Sequence, residues 1–93
     1  MNDNKERYVA NTAQFIASDL GDEMILLNLE SGDYVALNAV SADIWKLAEK
    51  EVSAEQIIDQ LMQQYEVDKE VCKSETLECV SELVEKHLLL KLT

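Results

Sequence analysis

Two hydrophobic periods run along this chain, and one gives way to the other near residue 38. Before that point apolar residues alternate or form short runs broken by turn formers, which predicts β-structure. Residues 14–18, with Phe15 and Ile16, predict a first strand. Asp19, Leu20, Gly21 and Asp22 then read as a turn in which Gly21 is free to take a positive φ. Residues 23–29 predict a second strand, with Ile25, Leu27 and Leu29 on one face and Met24, Leu26 and Asn28 on the other. One face is wholly apolar and the other only partly, as expected of the middle strand of a small sheet packed on one side. Residues 30–33 predict a second turn, closed by Gly32 in a left-handed conformation. Tyr34, Val35, Ala36 and Leu37 predict a third strand. Sequential strands usually pair, so the simplest sheet is an antiparallel meander with the first and third strands at its edges. Proteins normally blunt an edge with charge, proline or a bulge. Residues 34–37 have none of these, so this edge is either covered or paired with something.

After residue 38 the period becomes helical. Asn38 is placed to cap a first helix, with Val40, Ile44, Leu47 and Ala48 at helical spacing and Trp45 beside them. Ser53 and Gln56 form a capping box for a second helix, and Val52 with Ile57 a hydrophobic staple. Its buried stripe is Ile57, Ile58, Leu61, Met62 and Tyr65. Asp68 caps a third helix, with Val67 and Cys72 as a second staple, and this helix is expected to run to about His87. On it Cys72, Thr76, Leu77, Cys79, Val80, Leu83 and Val84 share one arc. That arc spans about 160°, wider than the roughly 100° stripe that one core contact needs, so part of it is expected to face a groove. Leu88, Leu89 and Leu90 are expected to fold back on the core. The pattern as a whole predicts an α+β fold, a three-stranded antiparallel sheet followed by three helices. Residues 1–12 read as a loose N-terminal tail and residues 13–93 as one domain.

Composition narrows the function. The chain has 93 residues, 47% of them apolar and 29% charged, enough for one small core. No run approaches the roughly 20 apolar residues of a membrane helix, and the start of the chain lacks an apolar signal segment. A cytoplasmic protein without membrane contact is expected. Nineteen acidic residues against eight basic ones give a net charge of −11. Phosphate backbones are repelled on average, so no nucleic-acid partner is expected. Cys72 and Cys79, seven apart on one helix, lie about 10.5 Å apart along its axis. A disulfide requires less than about 7 Å, so free thiols are expected. The lone histidine, His87, is two helical turns from Cys79, and no spacing suits a metal. The glycines lie in turns rather than in a phosphate loop, and the carboxylates lie on solvated helix faces. No catalytic residue, metal or cofactor is expected. Trp45 and Tyr65 read as core or rim residues rather than as a ligand cage.

Several phrases occur in a telling order. Tyr34-Val35-Ala36-Leu37-Asn38 ends five residues before Ile44-Trp45, the capped second helix follows, then Tyr65-Glu66-Val67-Asp68, and a last helix ends in Leu88-Leu89. Over residues 14–92 this order resembles the PqqD-like family, the leader-peptide recognition elements of ribosomally made, modified peptides. The resemblance implies a winged-helix-like unit in which the leader of a precursor peptide adds as a fourth strand beside the third helix. Carried onto this sequence, it implies backbone pairing at Asp33, Tyr34, Val35, Ala36 and Leu37, with Cys72, Thr76, Cys79 and Leu83 on the helix side. The family often has larger apolar residues where Thr76 and Cys79 stand, so the pocket here is expected to differ in shape. The implied second partner is a modifying enzyme: a radical SAM protein, a peptidase or a cyclase.

Two other readings remain open at this level. A winged-helix DNA-binding regulator would share the architecture. Its recognition helix would want Arg and Lys, whereas the third helix sets Lys69, Lys73 and Lys86 against Glu70, Glu75, Glu78, Glu82 and Glu85. A docking scaffold that binds an enzyme without any leader is the other.

Overall fold

The computed structural model describes residues 6–21 and 23–92. Asp22 of the first expected turn, and residues 1–5 of the expected tail, lie outside them. In chain order the elements are β1 (Arg7–Ala10), β2 (Phe15–Asp19), β3 (Met24–Asn28), β4 (Tyr34–Leu37), α1 (Ala39–Leu47), β5 (Val52–Ser53), α2 (Ala54–Gln64), α3 (Lys69–Glu85) and β6 (Leu89–Lys91). The meander is present as read: β2, β3 and β4 pair in that order, all antiparallel. Gly21 and Gly32 both have positive φ, at 93° and 80°. In the second hairpin Gly32 N–H donates to Asn28 O and Asn28 N–H to Asp33 O, which sets the register of β4.

A second sheet, ordered β5-β1-β6, joins parts of the chain that carry no alternation. Arg7–Ala10, expected in a loose tail, is its central strand. A strand of four residues with little periodicity leaves no local signal, and β1 takes its order from partners 44 and more residues away. The expected return of residues 88–90 takes the form of β6, paired with β1. Arg7 forms an ion pair with Glu51, and Lys91 Nζ lies 2.9 Å from Glu6.

The helix starts follow the sequence closely. Asn38 Oδ1 accepts from Ser41 N–H, Asp68 from Glu70 N–H, and Ser53 with Gln56 makes the reciprocal capping box. α3 ends at Glu85, two residues short of the expected limit. His87 turns left-handed there with φ 65°, while His87 N–H donates to Val84 O and Leu88 N–H to Leu83 O. Buried Asn11 completes this end, its Nδ2 donating to His87 O at 2.9 Å and its backbone N–H to Leu88 O. Trp45, itself buried, donates its indole N–H to the same Leu88 carbonyl.

One core holds the two sheets and three helices together, centred on Leu26, Ile44, Trp45, Ile57, Leu88 and Leu89. It also fixes which way the meander faces. Met24 and Leu26 of β3 are buried, while Ile25 and Leu27 are only half-buried and Leu29 is exposed. The wholly apolar face of β3, the one its composition would send to the core, points outward. Phe15 and Leu37 explain the choice, because they share the Leu26 face and are buried with it.

Candidate functional site

The edge of β4 follows from the pairing register. In an antiparallel ladder the backbone groups of alternate residues point to opposite sides of the strand. Asn28 bonds Asp33, so Asp33, Val35 and Leu37 direct their N–H and C=O groups toward β3. Tyr34 and Ala36 direct theirs outward, where no strand of the described residues pairs with them. The other margin of the sheet, β2, is partly used by its own chain, since Phe15 N–H donates to Asn11 O. β4 thus offers the open margin, and an added strand would bond Tyr34 and Ala36.

Beside that margin lies a cleft of about 210 Å³. Val35 and Leu37 form its sheet wall, and Cys79 and Leu83 its α3 wall. Leu88 closes it below, and Asn38 and Ser41 bound it on the α1 side. Ser41 Oγ and Cys79 Sγ are 3.1 Å apart within the lining. Glu82 on α3 and Lys86, the residue that caps its end one turn later, stand exposed where the cleft reaches solvent. Aliphatic side chains and Cys79 stand on its two walls, but the surface the cleft shows is mostly polar, with the Ser41–Cys79 pair and one charge of each sign.

The structure divides the residues implied on α3. Cys79 and Leu83 line the cleft beside β4. Cys72 and Thr76 do not. They are buried two turns nearer the start of α3, with Cys72 Sγ 3.8 Å from Thr76 Oγ1, and they line a separate hollow with Val40, Leu61 and Tyr65. The wide apolar arc of α3 resolves accordingly. Cys72, Thr76, Val80 and Leu83 form the buried stripe, Cys79 flanks it toward β4, and Leu77 and Val84 flank it toward β1 and β6. Ser41, Glu82 and Lys86 carry no signal of their own in the sequence. Ser41 follows from Asn38 as a cap, because the first turn of α1 must then sit over the end of β4. Both cysteines are free, Cys72 buried and Cys79 half-buried. Among the described residues no group of three metal-ligating side chains occurs. No helix there is long and apolar enough to cross a membrane.

Comparison with known proteins bears on this site. A solved structure described as TbiB1 in complex with the TbiA(beta) leader peptide is 31% identical. It covers 83% of this chain and 90% of its own, with a TM-score of 0.74. Lasso peptide synthetase B1 complexed with the leader peptide is 23% identical and covers 89% of this chain and 96% of its own. Its TM-score of 0.75 speaks to the fold. No protein among those with curated functions matches the chain. The sequence profile of the family described as coenzyme PQQ synthesis protein D (PqqD) matches residues 23–89, a stretch that takes in β3, β4, all three helices and every residue of the cleft. The chain belongs to the PqqD family.

Proposed function

We propose that this protein is a non-catalytic adaptor that holds the leader segment of a precursor peptide and hands it to a modifying enzyme in the cytoplasm. The leader adds as a fourth strand antiparallel or parallel to β4, bonding the outward backbone groups of Tyr34 and Ala36. Every second leader side chain then enters the cleft between Val35, Leu37, Cys79, Leu83 and Leu88. Strand addition draws affinity from main-chain hydrogen bonds and selectivity from pockets for alternate side chains, and this site offers both. The observation that carries the reading is the coincidence of an unpaired backbone margin with a cleft on its inner side, walled by Val35, Leu37, Cys79 and Leu83. Binding of leader peptides by the two structural relatives supports it. The binding unit, expected over residues 13–93, takes in β1 as well, because β1 joins β5 to β6. Radical SAM proteins, peptidases and cyclases are the enzyme classes this adaptor would serve.

The DNA-binding reading is disfavoured by charge. The exposed side of α3 carries Glu70, Glu75, Glu78, Glu82 and Glu85, which would face phosphates.

The test is Ala36→Pro. Its N–H points away from β3, so proline removes a donor from the margin and none from the sheet. Titration of a synthetic leader of the cognate precursor is expected to shift amide signals at residues 33–37 in the native chain. In Ala36→Pro the affinity should fall about tenfold or more while the circular dichroism spectrum is kept. Unchanged affinity in the folded variant rejects strand addition here.

A further inference from the structure

The outer face of the meander has an unusual composition for a surface. A sheet with one face in solvent normally alternates apolar-in with polar-out. Here the outward positions of β3 are Ile25 and Leu27, followed by Leu29. Across the sheet Leu27 pairs with Ile16 on one side and Tyr34 on the other, making a continuous apolar row. Ile16 is 53% exposed, Leu29 52% and Tyr34 72%. None of them touches the core side of the sheet. Contiguous exposed apolar surface with a polar rim marks an interaction site more often than isolated exposed residues do.

The rim has one sign. From residue 8 to residue 45 the chain contains no Lys, Arg or His but six acidic residues. Glu23 and Glu30, at the hairpin ends bordering this face, are exposed and form no ion pair among the described residues. Asp19 and Asp33 alternate onto the other side of the sheet, where Lys46 holds Asp19 at 3.0 Å. A second copy of the chain would bring acid against acid on a molecule of net charge −11. The complementary occupant has an apolar centre and a basic rim.

We infer that this outer sheet face is the docking surface for the modifying enzyme, which meets it with an apolar patch ringed by Lys and Arg. The inference rests on the proposed function for the identity of the partner, and it extends that reading. A leader strand on β4 would place every second side chain beside Tyr34 and Ala36, on this same face. The bound peptide widens the surface that the enzyme covers. Leader and enzyme then tighten each other's binding by the same factor, as linkage requires.

Ile16→Asp and Leu29→Asp test this, since both lie on the face but away from the β4 margin. The probes are the purified cognate modifying enzyme and a synthetic leader of its cognate precursor. Each variant is expected to bind the leader within about twofold of the native chain and the enzyme about tenfold more weakly. Native affinity for the enzyme should fall as salt rises and should tighten about fivefold or more when leader is saturating. Thermal melts show whether each variant folds, and the second variant serves if one does not. Enzyme affinity unchanged in both variants overturns the inference, as does no binding of the enzyme to the native chain. A native dimer that Ile16→Asp converts to monomer also overturns it, by assigning the face to a second copy. Loss of enzyme binding in the variants, with a native chain that binds no leader, upholds the docking face and rejects the leader reading alone.

Discussion

Single residues hold the joints of this molecule. His87 occupies a left-handed conformation that costs a non-glycine residue roughly 1–2 kcal/mol. His87→Gly removes that cost, loses some back to unfolded-chain entropy, and should raise stability by about 0.5–1 kcal/mol in denaturant unfolding. Asn11 works from the opposite side of the same joint. Asn11→Ala leaves the His87 carbonyl without its side-chain donor and should cost about 1–2 kcal/mol by the same measurement. In the cleft, Cys79 and Thr76 should behave differently although the sequence groups them. Cys79→Trp fills the space beside Val35 and should weaken leader binding about tenfold or more. Thr76→Val, buried away from the cleft, should leave leader affinity unchanged in the same titration. The Asp19 carboxyl is held below its usual range by the hydrogen bond from Lys46, helped by Gly21 N–H. A depressed carboxyl stabilises the fold above its unfolded pKa of about 3.9, and that contribution fades as pH falls through the folded value. Lys46→Gln should move the Asp19 midpoint up toward the ordinary carboxylate value in a carbon-detected NMR titration.

At the scale of elements, β3 and β4 decide the orientation of the meander. Leu26→Ala removes a fully buried side chain and should cost about 2–5 kcal/mol, whereas Leu29→Ala, on the exposed face, should stay within about 0.5 kcal/mol. Equal losses would mean that the sheet packs the other way round. β4 gives a second contrast. Ala36→Pro spares the ladder, but Val35→Pro deletes an N–H directed at β3 and should unfold the hairpin. α3 shows how one helix serves three surroundings, with a stripe in the core and flanks on two grooves. The breadth of its apolar arc foretold this, but not which flank would meet which groove.

For the whole molecule, the β5-β1-β6 sheet is the clasp between the start and the end of the chain. Deleting residues 1–10 removes its centre, leaves β5 and β6 unpaired, and should abolish the cooperative thermal transition. A truly loose tail would leave the melt unchanged. At this scale the acidic surface, at net charge −11, repels phosphate and favours contact with basic protein surfaces.

The chain's own order of residues determined what depends on near neighbours. Caps at Asn38, Ser53 and Asp68, left-handed glycines at 21 and 32, and the meander itself are local, because each is set by groups within a few residues. That β4 is an edge lacking charge, proline or bulge was legible too, while its being open rather than covered was shown by the fold. Tertiary structure alone decided the rest. β1 has no partner until residues 52 and 91 arrive beside it, the outward turn of Ile25 and Leu27 is set by what packs beneath Leu26, and the parting of Cys79 from Cys72 and Thr76 depends on where α3 lies against β4. Periodicity says that a face is apolar; only the packing of distant elements says which apolar face goes inside.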